Sequence, residues 1–227
     1  MKITDEIFQV GGGGFTSMED AAVYLINFDG HAALVDAGCG RSIEILFDRI
    51  RACGVAPEHI EYLLITHCHY DHTGGAGKIR AMTGCRVVAH ERDAVFLESG
   101  DNTVTAAGWY GASLEPVTVD RRLSLPLEEI DLGGKPITAV HIPGHSPGSV
   151  AYRVESDGLQ VLFGQDVHGP LDPALLSNRE AYLLSLERLL SMEADILCEG
   201  HYGVFRGKGT VARFIRSFME GPPDGLD

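Results

Sequence analysis

Apolar residues fall along this chain mostly in short runs punctuated by glycine and proline, with only a few stretches showing the three-to-four spacing of an amphipathic helix. AAVYLINFDGHAALVDAG reads as two strands around a turn at Asp29–Gly30. RSIEILFDRIRACG has helical spacing and runs out at Gly54, a C-terminal helix signal. IEYLLIT is a short apolar run of buried-strand type, followed by a helix in GAGKIRAMTG, a strand in CRVVAH and a short helix in RDAVFLES. Residues 100–120 show no clear period and are expected to form a lid or crossing loop. Strands follow in ITAVHIP, SVAYRVES and LQVLFGQD, then a helix in SNREAYLLSLERLLSM with Leu183, Leu186 and Leu190 on one face, a strand in ADILCEGH and a closing helix in GTVARFIRSFM. Helices and strands mix without strict alternation. That order predicts α and β layers containing antiparallel hairpins, not a purely doubly wound sheet.

With 227 residues and 44% hydrophobic content, the chain can bury a sizeable core, and one domain over 1–227 is expected. A formal net charge of −14 and the absence of any Lys/Arg run argue against a nucleic-acid partner. The opening MKITDEIFQV lacks the apolar core of a signal peptide, and no run is long enough to span a membrane. The five cysteines (Cys39, Cys53, Cys68, Cys85 and Cys198) include no CxxC pair and read as free thiols of a cytoplasmic protein. GGGG at Gly11 to Gly14 lacks the Gly-Lys-Ser/Thr of a phosphate loop and reads as a flexible loop.

The chemistry concentrates in LLITHCHYDHTGG. His67 and His69 are two apart, so an extended backbone puts both on one face, and Asp71 and His72 follow where the chain must turn. Imidazole and carboxylate are the usual ligands of zinc, iron or manganese. Cys68 and Tyr70 alternate with the histidines and should point away, Cys68 into packing. Three more donors stand where a strand gives way to a loop: His145 in HIPGHSPGSV, Asp166 in VLFGQDV and His201 in DILCEGH. Strand ends gathered on one edge of a sandwich would bring them together.

HxHxDH, a PGH turn, an Asp at a strand end and a late GH, spread between about Tyr24 and His201, resemble the metallo-β-lactamase-fold superfamily. The resemblance implies an α+β fold, a four-layer αββα sandwich of mixed sheets flanked by helices, with the metal site at one edge. It implies His67, His69 and His145 as ligands of one ion, Asp71, His72 and His201 as ligands of a second, and Asp166 as the carboxylate between them. Flavodiiron oxygen reductases carry Glu at the second ligand position, where this chain has His69. The spacing is most similar to the glyoxalase II and thioesterase branch. Only 26 residues follow His201, too few for the glutathione-holding domain of glyoxalase II, and LDPALLSNREAYLLSLERLL is more similar to acyl-CoA thioesterase-like members.

Two divalent ions (Zn, Fe or Mn) would lower the pKa of a shared water to roughly 7 and supply hydroxide to a carbonyl, with Asp71 orienting it. The expected activity is hydrolysis of a thioester or related acyl compound. A lactonase, a one-iron persulfide dioxygenase and a metal-bearing sensor remain open alternatives. Asp36 and Ser146 are expected behind the ligands, each fixing an imidazole. His168 and Tyr110 are candidate substrate contacts, and Trp109, Tyr70 and Tyr202 candidate pocket walls. His31 and His59 read as surface residues, His141 as a loop support, and Arg206 and Lys208 as a solvated loop or an attraction for an anionic group. The partner is a small-molecule substrate, and a homodimer is left open.

Overall fold

The structure is a computed structural model describing residues 1–219. Its first half contains β1 (Ile7–Gly11), β2 (Val23–Phe28), β3 (His31–Val35), α1 (Ile43–Ala52), β4 (Ile60–Leu64), α2 (Tyr70–Thr73), α3 (Ala76–Thr83), β5 (Arg86–His90), α4 (Glu91–Ser99) and β6 (Arg121–Leu123). The second contains β7 (Leu127–Leu132), β8 (Lys135–His141), β9 (Val150–Ser156), β10 (Leu159–Gln165), α5 (Arg179–Ser191), β11 (Ile196–Glu199), β12 (Val204–Arg206) and α6 (Lys208–Arg216). The strands form two six-stranded sheets, ordered β1-β2-β3-β4-β5-β6 and β12-β11-β10-β9-β8-β7. The first is antiparallel across β1-β2-β3 and parallel from β3 to β6. The second is antiparallel except for the parallel pair β10-β11.

The apolar runs are continuous because these strands are buried on both faces. In β3, Ala33 and Val35 face the other sheet, while Ala32 and Leu34 face α1 and α3. In β10, Val161 and Phe163 point inward, and Leu162 points toward α5 and α6. Three apolar layers therefore alternate with four layers of structure, the αββα sandwich anticipated from the motifs. Asn178 caps α5, its side chain accepting from the N–H of Ala181 at 2.9 Å. The buried stripe of α5 is Tyr182, Ser185, Leu186 and Leu189; Leu183 and Leu190 flank it half-buried, so the face is turned slightly from the expected one.

Four strands were not foreseen. β6 and β12 are three residues long, too short to show a period, and β1 runs into the glycine run, whose first member, Gly11, ends the strand. In β7 only Ile130 and Leu132 are buried, the alternation of an edge strand rich in acids. Residues 100–120 contain one 3-10 turn, Ala107–Tyr110, and their Thr105 carbonyl accepts from the N–H of Tyr70 at 2.8 Å, which brings the loop across the histidine segment. Among the described residues no helix is long and apolar enough to cross a membrane. Residues 220–227, at the end of the expected domain, lie outside the described part.

Candidate metal centre

The ends of β3, β4, β10 and β11, together with the β8–β9 loop, deliver the candidate ligands to one edge of the sandwich. Asp36 follows β3 in a left-handed conformation (φ 63°), which a short polar side chain tolerates better than most. His67 and His69 lie in the segment between β4 and α2, with His69 extended, and α2 carries Asp71 and His72. The N–H of Val150 donates to the carbonyl of Thr66 at 2.7 Å, tying the histidine segment to the second sheet. Two glycines are required by close approach. A Cβ on Gly144, beside His145, would lie 2.3 Å from the backbone of Tyr182, and one on Gly200 would lie 2.3 Å from Asp166 Oδ1.

The seven residues converge as two groups. His67, His69, His145 and Asp166 offer ligand atoms all within 4.8 Å of one another, and so do Asp71, His72 and His201. Asp166 stands between the groups. Its Oδ2 is 3.4 Å from His145 Nε2, 3.9 Å from His67 Nε2 and 3.4 Å from His201 Nε2, while its Oδ1 is 3.1 Å from His72 Nε2. His201 Nε2 also lies 3.1 Å from Asp71 Oδ2.

Hydrogen bookkeeping shows what this cluster lacks. Asp36 Oδ2 accepts from Thr66 Oγ1 and from His72 Nδ1, each at 2.7 Å, which leaves a lone pair on Nε2 of a neutral His72. Thr66 Oγ1 has then spent its hydrogen, so at 3.1 Å it accepts from His67 Nδ1. His145 Nδ1 donates to the Pro170 carbonyl at 2.9 Å. His67 and His145 therefore aim Nε2 lone pairs at each other across 3.2 Å. His69 Nε2, His72 Nε2 and Asp166 Oδ1 are buried without a hydrogen-bond partner, an arrangement costing about 1–3 kcal/mol per atom. A cation between these atoms satisfies all of them, so the donor set fits a metal.

The electrostatics divide in the same way. Burial, reinforced by neighbouring imidazoles, holds His67 well below its ordinary value and brings His69 down to about 3, so both stay neutral and free to ligate. For His72 burial opposes charge, but Asp166, Asp71 and Asp36 outweigh it and raise the ring well above the ordinary value. His201 rises to about 10 because its hydrogen bonds to Asp166 and Asp71 overcome burial. Burial likewise works against Asp166, yet His72 and the other imidazoles hold its carboxyl well below the usual range. The second group thus calls for positive charge, which a divalent ion can supply in place of protons.

Ala106, Trp109, Tyr110, His168, Pro170 and Leu175 join five of the ligand candidates, His69, Asp71, His145, Asp166 and His201, around a cavity of about 170 Å³. A larger groove of about 620 Å³, lined by Glu6, Lys135 and Arg153 among others, gathers no comparable donor cluster. Tyr110 and His168 thus reach the expected cavity. Tyr70 is buried beneath it, 5.6 Å from Tyr110 ring to ring, and Tyr202 is exposed beside His168. His31 and His59 are exposed, and His141 donates to the Pro147 carbonyl at 3.0 Å, supporting the PGH loop. All five cysteines are free, with Cys68 packed in the core.

One expectation needs correction. Ser146 does not touch the His145 ring; its hydroxyl donates to Asp93 Oδ2 at 2.6 Å, because the tight turn points it into the core. Arg206 and Lys208 are exposed, in keeping with the solvated reading and not with a role at the cavity: Arg206 donates to the Ile3 carbonyl and Lys208 pairs with Glu193. Two buried carboxylates were missed. Asp93 accepts from Ser146 Oγ, Cys68 N and Gly148 N, joining the loops of His67 and His145. Glu199 accepts from His201 N, Tyr202 N and His168 Nδ1. A glutamate inside the apolar run of DILCEGH was the available signal, since a buried charge needs partners.

The family model described as the metallo-beta-lactamase superfamily matches residues 19–201. The acyl-coenzyme A thioesterase MBLAC2 of Homo sapiens is 29% identical over 230 residues, covering 88% of this chain and 80% of that protein. A probable metallo-hydrolase of Methanocaldococcus jannaschii is 29% identical over 125 residues, 54% of this chain and 57% of that protein, so the chain spans a little over half the length of that relative. Among solved structures, a metallo-beta-lactamase motif mutant from Cronobacter sakazakii aligns with a TM-score of 0.80 at 24% identity, over 96% of this chain and 92% of that one, a likeness of fold alone. A subclass B3 metallo-beta-lactamase of Bradyrhizobium japonicum aligns with a TM-score of 0.78 at 26% identity, over 96% and 89%.

Proposed function

This chain belongs to the metallo-beta-lactamase superfamily, and on that premise we propose that it hydrolyses a thioester or related acyl compound at a dinuclear metal site. His67, His69 and His145 would hold one ion and Asp71, His72 and His201 the other, with Asp166 within reach of both groups. The observation carrying the reading is the position of Asp166, with one oxygen 3.1 Å from His72 Nε2 and the other 3.4 Å from both His145 and His201. The thioester preference is supported by the relatedness to acyl-coenzyme A thioesterases over 88% of the chain. A one-iron oxygenase would leave Asp71, His72 and His201 without a task.

Bound ions would supply a water nucleophile at neutral pH and polarise the acyl carbonyl. The chain's own groups do the rest. Asp71 lines the cavity, where its carboxylate can orient the attacking water and accept its proton. Tyr110 is pushed above its ordinary value by burial and then by Asp71, so at neutral pH its hydroxyl keeps its proton and can donate to the substrate oxygen. Trp109, Pro170, Leu175 and Ala106 form apolar walls that limit bulk water around the reacting carbonyl. A thiolate leaving group needs little protonation, which suits a site whose strongest feature is its nucleophile. The five free thiols fit a reducing, cytoplasmic setting.

The test is elemental analysis of protein purified without added metal, together with turnover of acyl-thioester and lactone panels. Two ions per chain with thioester turnover is the expected result. Lactone turnover alone would move the substrate class, and one iron with no hydrolysis would overturn the proposal.

A further inference from the structure

The arrangement of ring nitrogens extends to a histidine outside both groups. In His67, His72 and His145, Nδ1 is taken by an acceptor behind the ring and Nε2 faces the cluster. His168 follows the same pattern, with Nδ1 2.8 Å from Glu199 Oε1. A carboxylate cannot donate, so Nδ1 carries the proton and Nε2 the lone pair of the neutral ring. Among the described residues that nitrogen has no hydrogen-bond partner.

Glu199 ties this histidine to a proposed ligand. It is fully buried at the end of β11, and its Oε2 accepts from the N–H of His201 at 2.7 Å and of Tyr202 at 2.8 Å. One carboxylate therefore supports both the His168 ring and the backbone of His201. The two rings meet edge to face at 5.2 Å between centroids. Asp166, His168 and His201 each offer a ligand atom within 4.8 Å of the others, and His168 lines the cavity. A carboxylate–histidine pair aimed at a cation is a recurring way to orient a ligand and raise its basicity, and Asp36 behind His72 repeats it in this chain.

We propose that His168 is a further metal ligand, forming with Asp166 and His201 an outer position that the second ion can occupy in place of the inner one at Asp71, His72 and His201. The inference rests on the dinuclear reading above. Both positions use His201, so they are filled one at a time, and the outer one lies on the cavity side. Two imidazoles and a carboxylate suit zinc, iron or manganese.

The test is titration of metal-free protein with Co(II), followed by visible absorption and by metal content after gel filtration, for the wild type, H168A, H72A and H72A/H168A. The expected result is two ions in the wild type and in H72A, with the second ion held at least about 100-fold more weakly in the double variant than in H72A. If H72A alone drops to one ion and H168A titrates like the wild type, the outer position does not exist. A wild type that never takes a second ion overturns the dinuclear reading and this inference together, whereas the preceding result overturns this inference alone. Should H72A not fold, anomalous scattering from zinc-loaded wild-type crystals decides: zinc density about 2.0–2.1 Å from His168 Nε2 supports the proposal, and zinc confined to the inner ligands refutes it. A raised KM in H168A with unchanged metal binding would make His168 a substrate contact and equally refute it.

Discussion

Replacing Asp36 by asparagine should weaken the second metal ion while leaving the backbone almost unchanged. Asparagine has nearly the same shape and tolerates the left-handed conformation at φ 63°. What changes is the hydrogen count. Asp36 accepts three buried bonds, from Thr66 N at 2.9 Å and from Thr66 Oγ1 and His72 Nδ1 at 2.7 Å each. An amide has one oxygen to offer. If that oxygen keeps the Oδ2 place, the NH₂ group confronts the N–H of Thr66, and a buried donor without an acceptor costs about 1–3 kcal/mol. If it takes the Oδ1 place, the NH₂ group faces His72 Nδ1. His72 must then move its proton to Nε2, the nitrogen 3.1 Å from Asp166 Oδ1 that the metal needs. Both orientations are penalised, one in folding and one in metal binding. Loss of such a partner typically weakens a metal about 10- to 100-fold. Chelator competition on the zinc or cobalt form, beside urea melts of the metal-free form, measures both terms. The His72-side ion should fall in affinity by that factor, and metal-free stability should drop by about 1–3 kcal/mol or less. Unchanged values in both assays would refute Asp36 as the acceptor of the Thr66 and His72 hydrogens.

Gly200→Ala places a methyl group 2.3 Å from Asp166 Oδ1, so the bridging carboxylate must move; turnover should fall at least about 100-fold with reduced metal content, and normal metal content would contradict the placement of Asp166. Tyr110→Phe removes the proposed donor to the substrate oxygen, so kcat should fall about tenfold or more at unchanged metal content, and an unchanged kcat would exclude that role. His90 is buried and stacked on His141 at 3.8 Å, and burial with that neighbour brings it down from 6.5 to about 4. The unfolded chain therefore takes up a proton that the folded chain refuses as pH falls from 6.5 to about 4, so stability is full above this window and declines through it, by up to about 3 kcal/mol. His90→Phe keeps the stack and should flatten that decline in urea melts at pH 7 and pH 5; an identical pH dependence would mean that His90 does not titrate as described.

What the sequence reveals of such a site depends on how a residue is used. His67, His69, Asp71, His72, His145, Asp166 and His201 are legible as candidate ligands because metal-binding donors are a few residue types, and strand ends are where a sandwich can point them together. The long strands are legible for a related reason: burial on both faces leaves an unbroken apolar run, as in β3 and β10. β6 and β12 leave no such mark, since their pairing is imposed by neighbouring strands. The supporting carboxylates are harder still. Asp93 lies in a helix rich in acids, where nothing marks it out, and Glu199 stands out in its apolar run as a charge that needs partners without showing which partners. Their meaning comes from bonds to residues far away in the chain, 53 positions for Asp93 to Ser146 and 31 for Glu199 to His168. Ser146 shows the limit from the other side, adjacent to His145 in sequence yet bonded away from its ring. Adjacency can nominate a ligand, but it does not say which ring nitrogen remains free. That follows from which acceptor lies behind each ring: Asp36 behind His72, Pro170 behind His145 and Glu199 behind His168. Each of these acceptors takes the Nδ1 hydrogen and leaves a lone pair on Nε2 of the neutral ring, so a cation site here would be specified through hydrogens as much as through ligands.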